Sequence, residues 1–273
     1  MRWTPGGRSP NLEDRRSVGG GMGRGLGIGG TVVVLALSLL FGRNLFSDLG
    51  VQPAVGATSE PMSAADSAAQ EPQVQFVSFV LDDVQDTWAK TLPNFHPAKL
   101  VLFRDGTTSG CGTAQSAMGP FYCPLDERVY LDLGFFDELQ QKFGATGDFA
   151  RAYVIAHELG HHIQHLLGTD ARVRQLQEAR PDAANQLSVQ LELQADCYAG
   201  IWAHSTGQRR MLEQGDVEEA LNAASSVGDD RIQQRQTGRI NVDSFTHGSA
   251  AQRSAAFNRG FQSGDPRNCQ SFT

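Results

Sequence analysis

The chain has 273 residues, of which 40% are hydrophobic, 19% charged and 8% aromatic. That composition excludes a disordered, collagen-like or disulfide-knot protein. A net charge of -7 excludes a basic nucleic-acid-binding domain, so no nucleic-acid partner is expected.

The charge is unevenly spread. Residues 1–50 carry six Arg against Glu13, Asp14 and Asp48, a balance of +3 that leaves -10 for the remainder. From Gly25 to Gly42 no residue is charged, and Thr31–Phe41 is almost wholly aliphatic. An uncharged run of about 18 residues reaches the lower bound for a membrane-spanning helix. The Arg residues cluster before the run, at positions 2, 8, 15, 16 and 24. That asymmetry predicts a single-pass membrane protein with its N-terminus in the cytoplasm and the rest outside. A cleaved signal peptide is the alternative, but the first small-residue site, Val55-Gly56-Ala57, lies far beyond the run. The predicted organisation is a basic, Gly-rich cytoplasmic segment at 1–24 and a membrane anchor at 25–46. A Pro/Ala/Ser linker at 47–74 and a globular domain at 75–273 complete it.

Within that domain, apolar residues between Phe76 and Trp88 follow a helical stripe that ends before Pro93. Lys99–Arg104 and Arg128–Leu133 read as strands, with Asp105-Gly106 as a turn and Phe135–Phe143 as a short helix. The second strand is the expected edge for pairing with an extended substrate. Asp148 can cap a helix running to Leu167, where Gly168 stops it. Helices follow over Ala171–Ala179, Asp182–Ser205 and Asp216–Val227, and Ser249-Ala-Ala-Gln252 is a capping box opening a last one. Four cysteines suit an oxidising compartment. Cys111 and Cys123 flank a short Gly- and Pro-containing segment, which favours pairing them with each other and Cys197 with Cys269; four free thiols are the alternative.

The chemistry concentrates at His157-Glu158-Leu159-Gly160-His161. Two His four positions apart share one helix face and can reach one tetrahedral zinc. Glu158 is rotated about 100° from His157 and suits a general base beside the metal. A third ligand is required. A metzincin-type His is excluded because Gln164 and Leu167 stand where its Gly and His belong. Glu192 on a later helix supplies the ligand, and Asp196, one turn on, can accept the ring N–H of a bound His. Glu178, Asp170 and His204 are weaker candidates. A solvent-facing helix is the alternative for Glu192 and Asp196, but the adjoining Leu187, Leu191, Ala195 and Ala199 argue for inward packing. His162 and His165 read as packing or surface residues. His247, just before the capped last helix, is the candidate donor to an oxyanion, with Tyr153 and Tyr198 as lesser ones.

The Glu-Leu-Gly-His-His context, the LELQADCYAGIWA run, SGCG with GPFYCP, THGS followed by FNRGFQSGDP, and the N-terminal NLEDRR resemble the bacterial putative neutral zinc metallopeptidase family. The resemblance covers nearly the whole chain, least well at 51–75. It implies an α+β, zincin-like domain, mostly helical with a small sheet. It implies a gluzincin-like peptidase for protein or peptide substrates, with one zinc on His157, His161 and Glu192 and with Glu158 as base. A metal-stabilised binding domain without catalysis, and a zinc amidase acting on a non-protein amide such as cell wall, are the rival expectations.

Overall fold

In the computed structural model, which describes residues 1–17 and 62–270, a central hydrophobic strand decides how the layers assemble. Strand β2 (Lys99–Phe103) is buried at four of its five residues. Leu100 and Leu102 face the main core, while Val101 and Phe103 join Ala114, Cys123 and Tyr130 in a second cluster on the other side. Such two-sided burial is what a continuous apolar strand needs.

The sheet has the order β1-β2-β6-β5. β1 (Leu12–Asp14) and β6 (Arg128–Asp132) run parallel to β2, and β5 (Phe121–Cys123) runs antiparallel to β6. One face packs on helices, chiefly α1 (Ala64–Thr91) and α3 (Asp148–Leu166). The other is covered by a hairpin, β3 (Gly106–Ser109) and β4 (Gly112–Gln115), not foreseen from the sequence. Its strands are four residues long and mostly polar, and Ala114 is their one side chain in the second cluster, so no alternation announces them. Cys111–Cys123 pins this hairpin to β5.

The remainder is helical: α2 (Gly134–Gln141), α4 (Thr169–Ala179), α5 (Ala184–Gln208), α6 (Asp216–Ser226), α7 (Asp229–Thr237) and α8 (Ala250–Ser263). α3 and α5 cross at Gly160, and α5 and α8 cross at Gly200 and Gly260, where an added Cβ would strike the facing backbone. The Ser249 capping box is present, and Cys197–Cys269 fastens the C-terminal turn to α5. A bridge closing a loop of this length stabilises by about 4 kcal/mol in the chain-entropy picture. The fold class is the expected one, α+β and mostly helical with a small sheet.

Three expectations need correction. β6 is not the sheet's edge, because β2 and β5 pair on either side of it; β5 is. The segment 62–74 is not linker, since α1 begins at Ala64 with Ser63 capping the Asp66 N–H at 3.0 Å. Its first turns are Ala-rich, which favours helix, and Arg8 and Arg16 anchor them through Glu71 and Gln70. Nor do residues 1–17 stand apart as part of a separate 1–24 segment. β1 adds to β2, and Met1, Ser9 and Arg16 are buried. Among the described residues no helix is long and apolar enough to cross a membrane. The expected span at 25–46 and the linker at 47–61 lie outside the described residues.

Candidate metal centre

The centre is built where α3 meets α5. Both helices bury most of one flank: α3 sets Phe149 against Trp202 of α5, the rings stacked at 5.3 Å. Their crossing turns His157 and His161 toward Glu192. His157 Nε2 lies 3.2 Å from one Glu192 oxygen and His161 Nε2 lies 3.5 Å from the other. One ligand atom from each of the three residues lies within 4.8 Å of the others. Among the described residues this is the group of His, Cys, Asp and Glu whose donor atoms converge.

The opposite ring nitrogens are already engaged. His157 Nδ1 is 2.8 Å from Asp196 Oδ1, and His161 Nδ1 is 2.8 Å from Gln164 Oε1. Both partners accept hydrogen bonds, so each Nδ1 carries the proton and each Nε2 presents a lone pair. Two lone pairs then face an ionised carboxylate across 3.2–3.5 Å. That arrangement of acceptors requires a proton or a cation between them. The pull on protons is plain at His157: burial works against its charging, yet Asp196 and Glu192 raise its pKa to about 10. Burial would likewise raise Glu192, but His161 and His157 hold it well below the carboxylate range. Two imidazoles, one carboxylate and fixed tautomers fit a zinc ion.

Each of the two imidazoles has a buried support. Asp196, fully buried, accepts from His157, from the Tyr153 hydroxyl at 2.5 Å and from Arg253 Nε at 2.8 Å. Arg253, 4% exposed, comes from α8, delivered by the close approach of Gly260 to Cys197. It offsets Asp196, whose pKa falls to about 2 although burial opposes this. Gln164 is also fully buried, donating to the Leu191 carbonyl at 2.7 Å and to Gln194 at 3.1 Å. Gln194 in turn donates to the Cys269 carbonyl at 3.2 Å, beside the disulfide. Tyr153 thus serves Asp196 rather than an oxyanion, and Tyr198 packs edge-on against Trp88.

Glu158 is 8% exposed and makes none of these bonds; burial raises its pKa against the pull of His157 and His161. His247 sits in the loop before α8, where Gly248 lies against Val189 and Leu193 on the Glu192 stretch of α5. Asp229 holds this loop, accepting from the backbone N–H groups of Thr246, His247 and Gly248 at 2.7–3.0 Å, with the His247 ring at 3.2 Å. Burial opposes charging of His247, but Asp229 and Glu192 raise its pKa.

The other candidates fall outside the centre. His162 is fully buried between the Tyr122 hydroxyl at 3.0 Å and the His96 carbonyl at 2.8 Å. His165 bonds Asp170 at 2.9 Å, His204 bonds the Phe261 carbonyl, and Glu178 is exposed. Sequence reasoning missed Gln164, Gln194 and Arg253 as supports. The first was legible only as one of two residues, with Leu167, that exclude the metzincin pattern on α3.

The family model described as putative neutral zinc metallopeptidase matches residues 1–272. The uncharacterized protein YpfJ of Escherichia coli (strain K12) is 46% identical over 286 aligned positions, covering 100% of this chain and 99% of that protein. The uncharacterized protein Rv2575 of Mycobacterium tuberculosis (strain ATCC 25618 / H37Rv) is 46% identical over 203 positions, 70% of this chain and 68% of its own length. No solved structure matches.

Proposed function

The chain belongs to the putative neutral zinc metallopeptidase family, and we propose that it is a zinc-dependent peptidase of zincin-like construction acting on protein or peptide substrates. The observation that carries this reading is the convergence of His157 Nε2, His161 Nε2 and the Glu192 carboxylate beside an uncommitted buried acid, Glu158. A purely structural metal needs no such acid.

His157, His161 and Glu192 would hold the ion. Bound there, zinc supplies a Lewis acid that polarises the scissile carbonyl and makes water a stronger acid. Glu158 takes the proton of the attacking water and delivers it to the departing amine. Its raised proton affinity suits both halves of that task. His247, held by Asp229 and kept protonated more readily than a free His, donates toward the oxyanion. Asp196 and Gln164 hold the two imidazoles in the tautomer that leaves Nε2 unprotonated. β5 is the sheet edge beside α3, tied to it through Tyr122 and His162, and is the strand along which an extended peptide would lie.

The test is hydrolysis of denatured casein by the full chain, before and after a chelator and again after adding zinc. Loss and recovery of cleavage support the reading. Release of fragments from isolated cell wall with casein untouched would replace it by the amidase reading. Zinc bound with neither substrate cleaved would leave a metal-stabilised binding domain.

A further inference from the structure

The first seventeen residues and the metal centre belong to one folded body. β1 lies in parallel register with β2, pairing Leu12 with Leu100, Glu13 with Val101 and Asp14 with Leu102. Leu100 N–H donates to the Asn11 carbonyl and Arg15 N–H to the Leu102 carbonyl, both at 2.8 Å. Upstream, Arg2 N–H donates to the Met211 carbonyl at 2.7 Å, the Ser9 hydroxyl to Asp82 at 2.6 Å, and Trp3 packs edge-on against Phe76 at 5.3 Å.

Three of the arginines that suggest a cytoplasmic flank, Arg8, Arg15 and Arg16, are engaged inside this body. Arg8 bonds Asp14 at 2.8 Å and also pairs with Glu71. Arg15 bonds Glu13 at 2.7 Å, and Arg16, 3% exposed, bonds Asp14 at 2.7 Å and Gln70 at 2.7 Å. Arg128 reaches Glu13 from the next strand but one, at 3.0 Å. A basic flank orients a membrane protein through charge that stays unpaired near the bilayer. Here carboxylates of this chain take up the charge of Arg8, Arg15 and Arg16.

Backbones hydrogen-bonded in one sheet cannot stand on opposite sides of about 30 Å of hydrocarbon. Carrying residues 1–17 across would strip β2 of β1 and leave Gln70, Glu71 and Asp82 without Arg16, Arg8 and Ser9. The two disulfides, Cys111–Cys123 and Cys197–Cys269, assign the body to an oxidising compartment. We propose that residues 1–17 lie on the same, extracytoplasmic face as the metal centre, as a strand of its domain, and that Arg8, Arg15 and Arg16 act as a structural strap. This replaces the expectation of a cytoplasmic N-terminus opposite an exported domain.

The experiment uses the full chain with its disulfides intact and one added thiol, Gly6→Cys or Leu125→Cys. Gly6 is exposed with nothing within 4 Å of an added Cβ, and Leu125 is 77% exposed. Gly7→Cys, equally open, serves if Gly6→Cys does not accumulate. Intact bacterial cells are treated with a membrane-impermeant maleimide, and labelling is compared with that in permeabilised cells. Both thiols should label fully from outside, with ratios near one. Labelling at Leu125→Cys with Gly6→Cys protected until permeabilisation would overturn the shared face. Protection of both would overturn the extracytoplasmic assignment.

Discussion

Gly160 of α3 lies so close to Ala195 of α5 that a Cβ added to it would come within 3.0 Å of the Ala195 carbonyl oxygen and 3.1 Å of its Cα. On α3, His157 lies about one turn before this contact and His161 is the next residue; on α5, Glu192 lies about one turn before it and Asp196 is the next residue. The absence of a side chain at residue 160 therefore sets the ligand spacing.

Gly160→Ala should push the helices apart by a few tenths of an ångström. Overpacking of this kind costs about 1–3 kcal/mol. Zinc affinity should fall together with thermal stability, measured by calorimetry with and without metal. Unchanged affinity would show that the crossing does not govern the site.

Glu158→Gln should keep zinc at one equivalent, since Glu158 lies outside the converging His157–His161–Glu192 group, while hydrolysis falls by about 10²–10⁴-fold. Metal analysis and a casein assay on the same preparation separate the two effects. Activity equal to that of the parent chain would remove Glu158 from the base role.

Glu192→Gln should lose the ion, because a neutral amide replaces the one anionic ligand. The parent chain should gain stability with added zinc, and this variant should not. A Tm rise with zinc in both proteins would exclude Glu192 as a ligand.

The supporting residues should act in graded fashion. Gln164→Ala frees the His161 ring to turn and should weaken zinc binding by about 10–100-fold. Arg253→Met leaves Asp196 buried without its cation, a loss of about 3–5 kcal/mol, visible in urea unfolding of the metal-free protein. Equal stability of this variant would show that Tyr153 and His157 alone satisfy Asp196.

The Asp229 carboxylate has a lowered pKa: burial opposes this, but hydrogen bonds from His247 and the Thr246–Gly248 loop outweigh it. Its contribution is fully present above the unfolded Asp value of about 3.9 and disappears as pH falls through the lower folded value. Asp229→Asn should flatten that acidic limb of the stability profile. An unchanged profile would mean the loop does not depend on the ionised acid.

How much was legible in the sequence depends on the range of the interaction. Helical periodicity, the Ser249 capping box and the His157–His161 spacing are settled within a few residues, so they can be read directly. Glu192 and Asp196 were also readable, because two acids one turn apart on an inward-packing helix have few other uses. The edge strand was assigned to β6 instead of β5, since pairing partners depend on chain return and not on local pattern. The β3–β4 hairpin escaped notice because its inner face is little more than Ala114.

By itself, then, the sequence determined the helix that carries His157 and His161 and an α+β class, and it favoured the two disulfide pairings without deciding them, all from short-range spacing or simple pairing arithmetic. Only the tertiary structure decided that Gln164 orients His161, that Arg253 from the last helix balances Asp196, and that the basic N-terminal residues form a strand beside β2. Each of these joins groups far apart in the chain. Their energies arise from burial and from charges meeting at close range, and neither exists until the chain has folded.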